Sequence, residues 1–139
     1  ARLAEMGFRV ASADEARGVA RGETLGGLGF DAVFEVSGDP GALNLAVELA
    51  RPRGVVHLKS TPGSPASVNA TAAVVKELRV VGTRCGTFRE FERAIELLKR
   101  GLVRPLITSV VEGLEGAGKA FEKAFDRGEF KVVVRVRRA

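Results

Sequence analysis

The sequence predicts an α/β fold in which helices cover both faces of a parallel sheet, the doubly wound arrangement. Its strand candidates are short runs of mainly apolar residues, such as residues 31–36 and 55–58, without strict alternation of apolar and polar side chains. Such runs are typical of strands that are buried on both faces. Helix patterns alternate with these runs along the chain, which is the order that a parallel sheet requires.

Local signals begin and end the predicted helices. Asp39 followed by Pro40 is typical of a helix start. Thr87 and Glu90 form a capping box, and Gly101 is placed to end that helix. In chain order the sequence predicts a helix end in residues 1–8, a short strand at 9–12, a helix at 13–21, a glycine-rich loop at 22–29, a strand at 31–36, a helix between 39 and 52, a strand at 55–58, a loop at 62–65, a helix at 71–77, a strand starting at 79–82, a helix at 87–100, an extended segment at 106–111, a helix at 114–127 and a closing strand at 131–136.

Length and composition restrict the class of protein. The 139 residues suffice for one domain, and the net charge of +5 can suit an anionic ligand. One cysteine and one histidine exclude an intramolecular disulfide and a typical structural zinc site. The absence of Trp and Tyr argues against nucleic-acid binding by base stacking.

The sequence contains no membrane signal. No apolar stretch approaches the ~20 residues of a membrane span, and no signal-peptide pattern opens the chain. We therefore expect a cytoplasmic protein that binds neither membrane nor nucleic acid. Depletion of labile residues fits a thermophile, although GC-rich coding produces the same bias.

Several segments carry a family resemblance, in order and at matching spacing. Residues 30–38 (F-D-A-V-F-E-V-S-G), 50–58 (A-R-P-R-G-V-V-H-L) and 77–86 (E-L-R-V-V-G-T-R-C-G) resemble the fourth, fifth and sixth strands of a known cofactor domain. Residues 121–125 and 131–134 resemble its closing helix and strand. The family is the medium-chain dehydrogenases, or zinc-type alcohol dehydrogenase superfamily, and the resemblance implies a Rossmann-like sheet.

The same resemblance implies that this Rossmann-like sheet is incomplete. Strands 1 and 2 of the family, its glycine-rich phosphate loop, the residue that separates NAD from NADP and the zinc ligands would all precede Ala1. We therefore expect residues 1–139 to be the C-terminal portion of one NAD(P)-binding domain, with no second domain. The strand at residues 31–36 would then have an open apolar edge. The missing N-terminal part or a partner chain would cover that edge.

Cofactor contacts are expected where the predicted strands end, because open α/β sheets bind ligands at their carboxyl edge. By resemblance, Lys131 would reach the cofactor pyrophosphate, and the backbone near Thr83 and Cys85 would hold the nicotinamide carboxamide. The resemblance implies no catalytic residue and no metal ligand in this chain. The full set of cofactor-binding residues that it implies is Val36, Ser37, Gly38, Lys59, Ser60, Thr61, Thr83, Cys85 and Lys131.

Some of these positions also have a plainer interpretation. Ser37 and Gly38 could form a helix-entry turn that Asp39 caps. Lys59 and Lys131 could be ordinary solvent-exposed lysines. The residue types alone leave both interpretations open.

Three other features are expected to be structural. Cys85 is expected to be a small packing residue whose backbone matters, because no partner is placed to activate its thiol. His57 lies in an apolar strand and is expected on a sheet face rather than in catalysis. The glycine-rich residues 22–29 precede a strand, whereas a phosphate loop follows a strand and opens a helix.

Two classes of function remain open. The resemblance implies part of an oxidoreductase that orients NAD or NADP for hydride transfer with an alcohol or carbonyl substrate. Such a chain would be inactive alone, would belong to a homo-oligomer, and would depend on any zinc in the missing domain. The alternative is a non-catalytic, truncated Rossmann-like module for protein assembly or nucleotide binding. A generic nucleotide- or coenzyme A-binding domain is disfavoured, because no glycine-rich strand-to-helix loop is present.

Overall fold

The computed structural model describes residues 2–136 and forms two compact units, Ala1–Cys85 and Gly86–Ala139. Among the described residues, no helix combines the length and the apolar character that crossing a membrane requires. The first unit contains α1 (Arg2–Glu5), α2 (Ala13–Gly22), β1 (Phe30–Glu35), α3 (Ala42–Leu49), β2 (Ala50–Leu58), α4 (Ala70–Val75) and β3 (Arg79–Gly82). The second unit contains α5 (Phe88–Lys99), β4 (Ser109–Glu112), α6 (Ala117–Ala124) and β5 (Val132–Arg135).

The first unit is built on a parallel sheet in the order β1-β2-β3. Its core lies between this sheet and α3, where Ala46, Ala50 and Val56 are buried together. Val33 of β1 packs against the same cluster. Helices therefore alternate with parallel strands, and the predicted α/β class is confirmed.

The second unit contains a shorter parallel pair, β4 and β5, with α6 as the crossover helix between them. Val110 lies opposite Val133 in this pair. The helix α5 begins at the predicted capping box, because the Glu90 carboxylate accepts a hydrogen bond from the Thr87 backbone N–H at 2.7 Å.

The structure corrects the prediction for residues 9–12, which form no strand. Ser12 instead caps α2. Its hydroxyl accepts a hydrogen bond from the Glu15 backbone N–H at 3.3 Å, and the Glu15 carboxylate accepts one from the Ser12 N–H at 2.7 Å. The sequence Ser-x-x-Glu is itself a helix-start signal, and here it prevails over the extended tendency of the residues before it.

The start of α3 also differs from the prediction. The helix begins at Ala42, and Gly41 occupies the N-cap position. No side chain forms a capping hydrogen bond at this end of the helix. The Asp39 carboxylate accepts a hydrogen bond from the Gly41 N–H at 2.6 Å, so Asp39 closes the turn before the helix. Short Asp side chains favour such local turns because they reach the backbone two residues on.

Candidate functional site at the carboxyl edge of the sheet

The register of the first sheet brings three strand ends together. Glu35, at the end of β1, lies opposite Leu58 of β2, and Leu58 lies opposite Gly82 of β3. The hydrogen bonding continues past the strands. The Lys59 N–H donates to the Glu35 carbonyl oxygen and the Thr83 N–H donates to the Leu58 carbonyl oxygen, both at 3.0 Å. The segments that follow β1, β2 and β3 therefore start side by side at one edge of the sheet.

We call the residues that follow these strands the strand-end segments: 36–38, 59–61 and 83–85. They contain eight of the nine residues that the sequence predicts to bind cofactor. Most of their side chains are exposed, and Ser60 is half-buried. Together they offer an apolar side chain, hydroxyl groups and two cations, Lys59 and Arg84, which suits a ligand with sugar hydroxyls and negative charge.

Gly38 adds access to the backbone. Its φ of +77° is a conformation that L side chains rarely adopt, and a Cβ built there would meet nothing within 4 Å. Gly38 is therefore favoured because of its positive φ angle, and not because neighbouring atoms would clash with a side chain. The open space leaves the Gly38 peptide approachable by a ligand.

Glu35 is the residue that the sequence reasoning missed at this edge. It is buried, and one oxygen of its carboxylate accepts hydrogen bonds from the Ser37 hydroxyl at 2.6 Å, the Ser37 N–H at 2.7 Å and the Gly38 N–H at 3.3 Å. Its other oxygen accepts a hydrogen bond from the Ser60 hydroxyl. These donors, the Ser37 hydroxyl first and the Ser60 hydroxyl next, lower the pKa of Glu35 from its ordinary 4.5 to about 2.

A sequence signal for Glu35 did exist. An acidic residue ends a run of mainly apolar residues and is followed at once by Ser37 and Gly38, which carry donors within reach of its carboxylate. A buried carboxylate requires such donors, because burying it unsatisfied is costly. The partner from the next strand, Ser60, could be found only from the three-dimensional register.

Lys131 lies in the second unit, directly before β5. Its carbonyl oxygen accepts a hydrogen bond from the Thr108 N–H at 2.9 Å, and this contact adjoins the pairing of β4 with β5. Lys131 is exposed. Its expected contact with a cofactor pyrophosphate stays a prediction.

The two side chains with potential acid–base or nucleophilic chemistry, those of His57 and Cys85, have no catalytic partner among their described contacts. His57 lies within β2 and stacks on Phe34, with ring centroids 4.9 Å apart and ring planes 8° from parallel, so it occupies a sheet face as predicted. Cys85 is a free thiol and is exposed. The expected packing role of Cys85 as a small residue is wrong, because its side chain is exposed; the expected role of its backbone stays a prediction.

The described residues do not fit a zinc site. Among residues 2–136, no three His, Cys, Asp or Glu side chains lie close enough together to hold a metal ion. His57 stacks on Phe34 near the end of β2, and Cys85 follows the third strand. No step of a reaction is therefore assigned to a metal held by these residues.

The glycine-rich loop serves the fold. It follows α2 and leads into β1, which is the reverse of the order in a phosphate loop. A Cβ at Gly27 would lie 2.6 Å from the Arg21 carbonyl oxygen, and one at Gly29 would lie 2.5 Å from that of Leu49. These glycines are therefore explained by close approach to the protein's own backbone.

Comparison with known proteins identifies a family. The sequence pattern of the family described as zinc-binding dehydrogenase matches residues 1–100. The L-threonine 3-dehydrogenase of Bacillus velezensis is 39% identical over 105 residues, which are 73% of this chain and 29% of that protein. The L-idonate 5-dehydrogenase (NAD(P)(+)) of Escherichia coli K12 is 32% identical over 103 residues, 68% of this chain and 30% of that protein.

A solved structure agrees with these relatives. The alcohol dehydrogenase TADH from Thermus sp. ATN1 superimposes with a TM-score of 0.82 at 25% identity, over 98% of this chain and 40% of that one. The chain thus spans about a third of the length of the curated relatives it matches. The predicted resemblance to the C-terminal part of the dinucleotide-binding domain is confirmed.

Proposed function

This chain belongs to the zinc-binding dehydrogenase family, and we propose from that premise that its strand-end segments orient a nicotinamide dinucleotide for hydride transfer with an alcohol or carbonyl substrate. One observation carries the proposal. The ends of β1, β2 and β3 are hydrogen-bonded side by side, and the segments that follow them present exposed donors, acceptors and two cations at the edge where α/β sheets bind ligands.

The residues of the strand-end segments have separate tasks in this proposal. Val36, which is 67% exposed, offers apolar surface to a planar base or to a ribose. Lys59 is exposed and places an ammonium group where a phosphate or carbonyl oxygen would accept a hydrogen bond. A bound nicotinamide supplies the hydride chemistry, and these residues fix its orientation.

Substrate class and cofactor type follow the relatives. L-threonine 3-dehydrogenase and L-idonate 5-dehydrogenase (NAD(P)(+)) are named for the oxidation of hydroxylated small molecules. We accordingly propose NAD or NADP as cofactor and a small polar alcohol, or the matching carbonyl compound, as substrate. Any zinc of the complete enzyme would be held by residues outside this chain, and we expect residues 1–139 alone to have no dehydrogenase activity.

The proposal is tested by titrating NADH into the protein purified from its native host and measuring the binding affinity. Lys59→Met should weaken NADH binding about tenfold, the effect of losing one charge-assisted hydrogen bond. Lys119→Met removes an exposed lysine of α6 and serves as the matched control, with no change expected. A protein that fails to bind NADH and NADPH, or equal losses in both variants, would contradict the proposal.

One observation favours the alternative of an assembly module. β1 lies at an edge of its sheet and carries Phe34, which is 64% exposed, and Val36 follows it. Apolar surface at a strand edge favours pairing with another chain or another segment. Self-association without any NADH binding would support this alternative. NADH binding supports the dehydrogenase proposal whatever the oligomeric state.

A further inference from the structure

Asn44 of α3 makes two hydrogen bonds to the chain that leads from β2 to α4. Its side-chain nitrogen Nδ2 donates to the Ser67 carbonyl oxygen, and its side-chain oxygen Oδ1 accepts from the Asn69 N–H, both at 2.8 Å. An amide side chain can donate and accept at the same time, and here both of its partners are main-chain groups. Asn44 therefore fixes the path of the main chain at residues 67–69, whatever side chains those residues carry.

A short segment connects this anchor to the candidate site. Residues 62–66, which we call the strap, directly follow the strand-end segment 59–61. They are exposed, and no hydrogen bond or ion pair joins them to another residue within the described range 2–136. The position of the strap therefore depends on how its two ends are held.

The composition of the strap limits its freedom. It contains Pro62 and Pro65, and the proline ring fixes the φ angle of each. The strap therefore has fewer conformations than a glycine- and serine-rich linker of the same length would have. A shift of the chain at Ser67 is thus only partly absorbed before it reaches residues 59–61.

The near end of the strap is held to β1. The Lys59 N–H donates to the Glu35 carbonyl oxygen at 3.0 Å, and the Ser60 hydroxyl donates to the Glu35 carboxylate. Beyond Ser60, the next hydrogen bond along the described chain is the one that Asn44 donates to Ser67. From the side of the strap, Asn44 is therefore the first side chain that limits the movement of residues 59–61.

We propose that Asn44 is a positioning residue for the cofactor site, which anchors the strap to α3 and so keeps residues 59–61 in place before the cofactor binds. This inference rests on the function proposed above. Loss of the anchor would let residues 59–69 sample more conformations, and a bound cofactor would then have to order them. Because ordering a segment on binding costs free energy, the affinity for the cofactor would fall.

Asn44→Ala removes both hydrogen bonds and keeps α3, because alanine is a strong helix former. In the protein purified from its native host and without ligand, amide hydrogen exchange of residues 59–61 should become about fivefold faster than in wild type. The affinity for NADH, measured by titration calorimetry, should fall about fivefold. Unchanged exchange at residues 59–61, or an unchanged affinity for NADH, would overturn the inference.

Asn69→Ala is the matched control, because it removes an asparagine from the other side of the same contact. The Asn69 Oδ1 atom accepts a hydrogen bond from the Ala72 N–H at 3.1 Å and so caps α4, whereas Asn44 binds only the Asn69 main-chain N–H, which alanine keeps. Asn69→Ala should therefore speed exchange at the start of α4 and leave residues 59–61 and the affinity for NADH unchanged. Equal losses of NADH affinity in Asn69→Ala and Asn44→Ala would show a merely structural role and overturn the inference.

The wild-type titration distinguishes the two proposals. A wild-type protein that does not bind NADH overturns the proposed function, and this inference with it. If the wild-type protein binds NADH and Asn44→Ala binds it equally well, the inference alone is overturned and the proposed function stands.

Discussion

Glu35 shows how one residue can serve both the fold and the candidate site. Its burial is tolerated because neutral donors from two strand-end segments satisfy the carboxylate. The same bonds hold the segment after β1 to the segment after β2. A residue with this role is recognised by its partners and not by its type, since the sequence contains many other glutamates.

The lowered pKa of Glu35 predicts a pH dependence of stability. A carboxyl group with a depressed pKa in the folded state stabilises the protein above its ordinary pKa of 4.5, and that contribution is lost as the pH falls toward about 2. The free energy of unfolding of wild type should therefore exceed that of Glu35→Gln, and this difference should be largest above pH 4.5. The difference should shrink progressively below that pH.

Urea unfolding of both proteins at about pH 7 and about pH 3 measures this difference. Val75→Ala serves as the control, because it removes no titratable group and should differ from wild type equally at both pH values. A difference between wild type and Glu35→Gln that is constant with pH would contradict the assignment of Glu35 as an ionised, hydrogen-bonded carboxylate.

At the scale of the single element, capping signals predicted helix starts well where the chain had no competing turn. Thr87 and Glu90 begin α5 as predicted, and Ser12 with Glu15 begins α2 by the same motif, which the sequence reasoning had overlooked. Asp39 was assigned to a helix start but closes a turn instead. An Asp side chain that caps a helix and one that closes a turn both accept a hydrogen bond from a nearby backbone N–H. The sequence alone therefore could not separate these two roles of Asp39.

The capping box of α5 predicts a measurable effect. Thr87→Ala removes the hydroxyl that donates to the Glu90 carboxylate but keeps the bond from the Thr87 N–H, and it should destabilise the start of the helix by about 1 kcal/mol. Faster amide hydrogen exchange over Phe88–Lys99, the span of α5, would report the loss. Thr87→Ser keeps the hydroxyl and should exchange like wild type. Equal exchange in all three proteins would contradict the role of the cap.

The packing of β2 against α3 predicts a larger effect. Val56 is fully buried in the cluster with Ala46 and Ala50. Val56→Ala should therefore destabilise the first unit by about 2 kcal/mol, from lost burial and a residual cavity. Val75→Ala truncates a valine of α4 that is 76% exposed and should be close to neutral. Similar unfolding midpoints in urea for the two variants would contradict the assigned core.

At the scale of the whole molecule, the fold class and the parallel pairing followed from the order and apolar character of the strands. The run at residues 31–36 and the strand at 55–58 were found because apolar patterns are local, and the parallel pairing of β1 with β2 confirms the predicted parallel α/β arrangement. The hydrogen bonds across the carboxyl edge were not predictable. They depend on the register, which places Glu35 opposite Leu58 and so brings Ser60 within reach.

Hydrogen exchange with and without NADH, on the protein as its native host makes it, tests the central claim most directly. The account predicts slower amide exchange on NADH binding in the strand-end segments, residues 36–38, 59–61 and 83–85, and no change in the glycine-rich loop at residues 22–29. Protection of the loop, or no protection of the three strand-end segments by NADH or NADPH, would contradict the assignment of this edge as the cofactor site.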